Sequence, residues 1–194
     1  MIFFIFVSAV GTTGSCALEA QFSEQLPQSC VHSDIFFTST KYDTIRYTEI
    51  MKIGISACLL GYKVRYDGTD KRNDEILKLL KGHELVAICP EFRALFPIPH
   101  QALEIREDKV YTSGGEEVSE KLSAGARLCL DKVRDCDFLI LKQKSPSCGN
   151  GQIYDGTFSG KLISGKGIFT RICLEEGFRV YSEDQIEAIQ KELL

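Results

Sequence analysis

The run Met51–Gly61, MKIGISACLLG, sets the reading of this chain. Its apolar stretch, bounded by turn signals, predicts a short buried strand over Lys52–Ala57 that delivers Cys58 at its end. The loop GYKVRYDG (61–68) follows. Two further runs repeat the design downstream. Glu84–Ile88 (ELVAI) ends at Cys89, and Asp137–Leu141 (DFLIL) leads into KQKSPSCGNG (142–151), which carries Cys148. A fourth strand is expected over Phe178–Tyr181.

Helical signals lie between these runs. Asn73 is placed to cap a helix through Lys81, with Ile76, Leu77, Leu79 and Leu80 on its apolar side and Gly82 as the stop. Over Glu116–Arg134, the residues Val118, Leu122, Ala126, Cys129 and Val133 recur at steps of three or four and predict one buried helix face. Shorter helices are expected over Gly167–Glu176 and from a Ser182 cap to Leu194. Pro90 prevents further pairing in a central strand. Residues 92–101 read as a loop stiffened by Pro97 and Pro99, and 102–106 with 109–112 as a small hairpin. Such alternation of strands and helices predicts an α/β fold, a mostly parallel sheet with helices on both faces.

Upstream of Met51 the text is different. Ile2–Val10 is apolar but too short to span a bilayer, and no Lys or Arg precedes it as in a secretory signal. Residues 11–50 are rich in Ser, Thr and Gln without a sustained period. Residues 1–50 are therefore read as an extension or a mis-assigned start, and 51–194 as one domain. The competing reading is a signal or anchor with Cys16 as a lipidated cysteine.

With 194 residues the chain can bury a core, so its eight cysteines need not be a disulfide framework. The net charge of −4 and the lack of a basic stripe argue against binding of a nucleic-acid duplex. Three histidines (His32, His83, His100) are too few for a histidine-rich metal site. No Walker-type phosphate cradle occurs; Gly165-Lys166-Gly167 is too short to count. The word YDG stands at 66–68 and again at 154–156, and reads as two similar turns.

The cysteines then sort themselves. Ligands of open α/β sheets bind beyond the carboxyl ends of the strands. Cys58, Cys89 and Cys148 each come from a different strand at that edge and are predicted to form one metal site. Cys129 and Cys173 fall inside helices and read as core, as does Cys136 before a strand. Three thiolates leave one coordination position open, which suits either a catalytic zinc ion or a [4Fe–4S] cluster with one free iron. Polar residues stand beside these cysteines. Glu91 suits general acid–base work, and Ser145 and Ser147 offer hydroxyls. Arg65, Asp67, Ser147 and Lys144 are candidates for holding a polar, planar substrate.

Six words carry a resemblance: SACLLG (56–61), VRYDG (64–68), CPE (89–91), Glu104-Ile105, SPSCG (145–149) and IYDGTFSG (153–160). Together, and in this order, they resemble the thiouracil desulfurase family, long catalogued as a domain of unknown function. The resemblance spans residues 51–183 and implies a small, three-layer Rossmann-like domain. It further implies a [4Fe–4S] cluster on Cys58, Cys89 and Cys148. The substrate would be a small thiolated compound such as 2-thiouracil, whose sulfur is replaced by oxygen from water without net redox change. Glu91 would be the proton-handling carboxylate and Ser145 a hydroxyl near the substrate. A cytoplasmic protein, monomeric or a small homo-oligomer, with no membrane partner, is the matching expectation. One departure stands out. Where the family has Gly-Gly and then Pro-Arg after CPE, this chain has Ala94-Leu95 and Pro99-His100. A zinc-dependent hydrolase on the same thiolates, and a non-catalytic iron–sulfur or redox-sensing protein, are the competing functions.

Overall fold

The computed structural model describes residues 49–194. Cys16, Cys30 and the reading of the amino-terminal extension, save residues 49 and 50, lie outside the described residues.

Strand β1 (Lys52–Ser56) sits inside a four-stranded sheet of order β2-β1-β5-β8, with β2 at Glu84–Ile88, β5 at Phe138–Leu141 and β8 at Val180–Ser182. All three pairings are parallel, with Ile53 opposite Leu85 on one side and Phe138 on the other. Alternation along β1 and β5 sends Ile53, Ile55, Phe138 and Ile140 to one face and Leu139 and Leu141 to the other. On the first face they meet Ile76 and Leu80 of the α1 region (α1, Asp74–Leu79) and Ile189 of α5 (Ile186–Glu192). The second face is covered by α3 (Ser119–Val133) and α4 (Ile168–Glu175), through Leu122, Ala126, Cys129, Val133, Phe169 and Cys173. The chain is thus a three-layer α/β domain.

Local chemistry explains the element ends. Asn73 caps α1 as expected, its side chain accepting from the amides of Glu75 and Ile76. The first strand stops at Ser56, earlier than predicted, and a 3-10 turn over Ala57–Leu60 carries Cys58. Pro90 does more than end a strand. It opens a short helix, α2 (Pro90–Arg93), because a missing N–H costs nothing in a first helical turn. The predicted hairpin is present as β3 (Leu103–Arg106) and β4 (Lys109–Thr112). A second hairpin, β6 (Asn150–Tyr154) with β7 (Leu162–Lys166), was not anticipated. Its strands are mostly exposed and carry no apolar alternation to announce them. The last helix begins after Gln185, not at Ser182. Ser182 belongs to β8 and turns its hydroxyl to Asp184 and Gln185.

Two close approaches fix the site's supports. A Cβ at Gly125 of α3 would lie 2.3 Å from the Pro90 carbonyl oxygen, so only glycine lets α3 touch α2. A Cβ at Gly167, just before α4, would lie 2.4 Å from the Ser147 carbonyl carbon. Among the described residues no helix is long and apolar enough to cross a membrane.

Candidate functional site

Beyond the carboxyl ends of β1, β2 and β5 lies a cavity of about 770 Å³. Its lining includes Cys58 from the 3-10 turn, Cys89 and Glu91 from the β2–α2 junction, and Lys142 to Ser147 from the loop after β5. Cys148 sits just beneath this lining, 5% exposed. These thiols feel one another electrostatically. All six cysteines among the described residues are free. Burial pushes the Cys58 thiol up to about 11 and the Cys89 thiol up to about 12. Lys142 and Arg65 work against this at Cys58, and the Phe92 amide at Cys89. Burial also raises Cys148 well above its ordinary value, with Ser56 opposing.

The loop after β5 is built to present polar atoms. Ser145 Oγ accepts from the amides of Ser147 (3.2 Å) and Cys148 (3.1 Å), which curls the SPSC segment around one hydroxyl. Ser147 Oγ donates to Glu91 Oε1 at 2.7 Å. That hydroxyl has a single hydrogen, so Ser145 is the donor in its 2.9 Å contact with Ser147 Oγ. A directed chain therefore runs from Ser145 through Ser147 to Glu91. On its other side the Glu91 Oε2 atom lies 3.4 Å from His100 Nε2.

The remaining candidates separate by position. Arg65 and Lys144 line the cavity. Asp67 does not. Its Oδ1 accepts from the amide and hydroxyl of Thr69, and its Oδ2 lies 3.2 Å from Arg65 Nη1, so it serves the turn and steadies Arg65. Asp155 makes the same two bonds to Thr157, so both YDG words build one kind of turn. Cys129 and Cys173 are fully buried in the core; Cys136 is also buried.

Sequence reasoning missed Lys142, whose ammonium pairs with Glu183 at the cavity wall. Glu104 was noted only as part of a word. It is a buried carboxylate that accepts from the Phe158 amide at 2.9 Å and holds Phe158 at the cavity. The departure at Ala94-Leu95 also has a visible form. Leu95 adopts a φ of 56°, a backbone conformation in which glycine is unstrained.

The donor set can be tested against a metal group. Around one tetrahedral ion every ligand sulfur lies within about 2.3 Å of a common point. No three His, Cys, Asp or Glu side chains among the described residues are gathered in that way. Soft thiols beside one cavity suit an iron–sulfur cluster by chemistry.

A family model described as 2-thiouracil desulfurase matches residues 53–185. The uncharacterized protein YbbK of Bacillus subtilis (strain 168) is 38% identical over 147 residues, which cover 70% of this chain and 97% of that protein. A solved structure of TudS, a [4Fe-4S]-dependent thiouracil desulfidase, is similar with a TM-score of 0.69 at 37% identity, covering 74% of this chain and 97% of its own. With the motif words and the three-layer sheet that the structure describes, these matches establish that the chain belongs to the 2-thiouracil desulfurase family.

Proposed function

We propose that this chain is a [4Fe–4S]-dependent desulfurase acting on a small thiolated nucleobase of the 2-thiouracil type. The exchange is hydrolytic: a thiocarbonyl and water become a carbonyl and hydrogen sulfide. The observation that supports the reading is that Cys58, Cys89 and the Ser145–Ser147–Glu91 chain line one cavity, with buried Cys148 next in the chain to Ser147. The named activity of TudS supports it.

Cys58, Cys89 and Cys148 would hold the cluster, which when bound would supply an iron without a protein ligand, a soft Lewis acid for sulfur. The chain's own residues do the rest. Glu91 takes a proton from the attacking water and returns one as sulfur leaves. Ser147 fixes the carboxylate's direction, and Ser145, whose hydrogen is donated to Ser147 and whose oxygen accepts two loop amides, holds Ser147 in turn. Arg65 and Lys144 bind the polar edge of the base from the cavity wall. Residues 51–194 act as the catalytic domain, with 1–50 outside it. The thiols demand a reducing compartment, in keeping with a cytoplasmic enzyme. A monomer or small homo-oligomer is the assembly proposed.

The test is anaerobic purification followed by iron and sulfide analysis and an assay with 2-thiouracil. About four irons per chain, with uracil and sulfide as products, is the expected result. Colourless protein with stoichiometric zinc, or a loaded cluster with no turnover of any thiocarbonyl compound, would overturn it.

A further inference from the structure

His100 stands behind Glu91, at a position where the family resemblance leads one to expect arginine. Its backbone amide donates to the Tyr66 carbonyl at 2.8 Å, and its ring lies near those of Phe96 and Tyr66. The side chain is 6% exposed, and that of Glu91 13%. Nδ1 lies 2.7 Å from the Gln101 carbonyl oxygen. A carbonyl oxygen only accepts, so Nδ1 carries hydrogen. Nε2 is buried, makes no aligned hydrogen bond, and faces Glu91 Oε2 at 3.4 Å. A neutral ring would then set a bare lone pair against a carboxylate oxygen, away from water. One proton between Nε2 and Oε2 removes the conflict.

We propose that His100 is a positioning residue for Glu91, holding a proton opposite Oε2 so that Oε1 stays on Ser147 and the carboxylate keeps its charge partner through turnover. The inference rests on the desulfurase reading above, in which Glu91 handles protons. The balance is simple. The water oxygen bonds to carbon, the bonds between carbon and sulfur break with their electrons on sulfur, and both water protons finally leave with it. Glu91 takes and returns one of them, and His100 ends the cycle as it began.

The groups around the ring are Glu91 from α2, the Gln101 carbonyl, the Tyr66 and Phe96 rings, and two nearby cations. Lys121 of α3 sits 4.2 Å above the Phe96 ring, and Arg65 sits 5.5 Å from the centre of the Tyr66 ring. Burial disfavours the charged imidazole, and so does Lys121. Glu91 and the Gln101 carbonyl outweigh them, and His100 titrates above its ordinary 6.5.

Two readouts decide the matter. Ring-nitrogen NMR of the full-length chain, with His100 assigned by signal loss in His100→Gln, needs no turnover. A midpoint above about 6.5 that falls in Glu91→Gln is expected; a midpoint indifferent to Glu91→Gln overturns the proposal. The second readout uses the cluster-loaded enzyme. His100→Gln retains an N–H donor but cannot titrate. It should keep its iron, keep KM within about twofold, lose about tenfold or more in kcat, and move one limb of the pH–rate profile. An unchanged kcat and profile overturns the proposal. Absence of turnover in every form, wild type included, sinks the desulfurase reading instead, and the NMR result still decides whether His100 answers to Glu91.

Discussion

Ser147 and Glu91 stand 56 positions apart in the chain, and the hydroxyl of one donates to the carboxylate of the other at 2.7 Å. The bond ties the loop after β5 to the helix that begins at Pro90. It is supported from behind at both ends, since Gly167 lets α4 close on Ser147 and Gly125 lets α3 close on α2.

If Glu91 moves protons and Ser147 aims it, the two should fail as a unit. Glu91→Gln is expected to lower kcat by about 10²–10⁴ with its cluster intact. Ser147→Ala should lose less. The double variant should be little worse than Glu91→Gln alone, a coupling that a kinetic mutant cycle reads directly. Strictly additive losses would separate the pair.

Each of Cys58→Ser, Cys89→Ser and Cys148→Ser should lose most of its iron after anaerobic purification. Cys136→Ser, outside the cavity, should keep it. Retention of about four irons in any of the first three would remove that cysteine from the ligand set.

His100 also bears on stability. Its folded value is raised by Glu91 and the Gln101 carbonyl against the opposing effect of burial, so the native state binds this proton more tightly than the unfolded chain. The stabilisation is therefore full below about pH 6.5 and is lost as pH rises through the raised folded value. Denaturant melts of wild type and His100→Gln should differ most in acid and converge as the solution becomes alkaline. A gap that widens with pH would contradict the assignment.

Leu95 holds a left-handed backbone with its side chain 83% exposed, so glycine would relieve strain and lose little contact. The relief is worth about 1–2 kcal/mol, and glycine's added chain entropy takes back about 0.5–1 kcal/mol. Leu95→Gly should therefore raise the melting temperature by up to about 6 °C, given a response of about 2–4 °C per kcal/mol at this size. A lower melting temperature would show that Leu95 packs on something.

Much of this was legible in the chain itself, for identifiable reasons. Three strands announced themselves as short apolar runs, although β2 at the sheet edge is only half-buried, and their ends put Cys58, Cys89 and Cys148 on one side of the sheet. Asn73 marked its helix by the chemistry of capping, and the α3 face showed in its spacing. What stayed hidden depends on loops. His100 reaches Glu91 because the segment after α2 folds back, and no periodicity records that return. Glu104 sits within β3 and Lys142 opens the loop after β5, yet their pairing with the Phe158 amide and with Glu183 comes from chain distant in sequence. The β6–β7 pair buries only Ile153 and so left no pattern.

The parallel order β2-β1-β5-β8 has a consequence in time. Parallel neighbours cannot be joined by a tight turn, so each pairing waits for a long crossover to close. Cys58 and Cys89 emerge early from synthesis. Cys148 joins them only when β5 has docked beside β1, after α3 has been made. A half-made chain therefore holds only two of these three sulfurs, and the third arrives with the loop after β5. A cluster held by all three sulfurs would therefore have to wait until β5 lies beside β1.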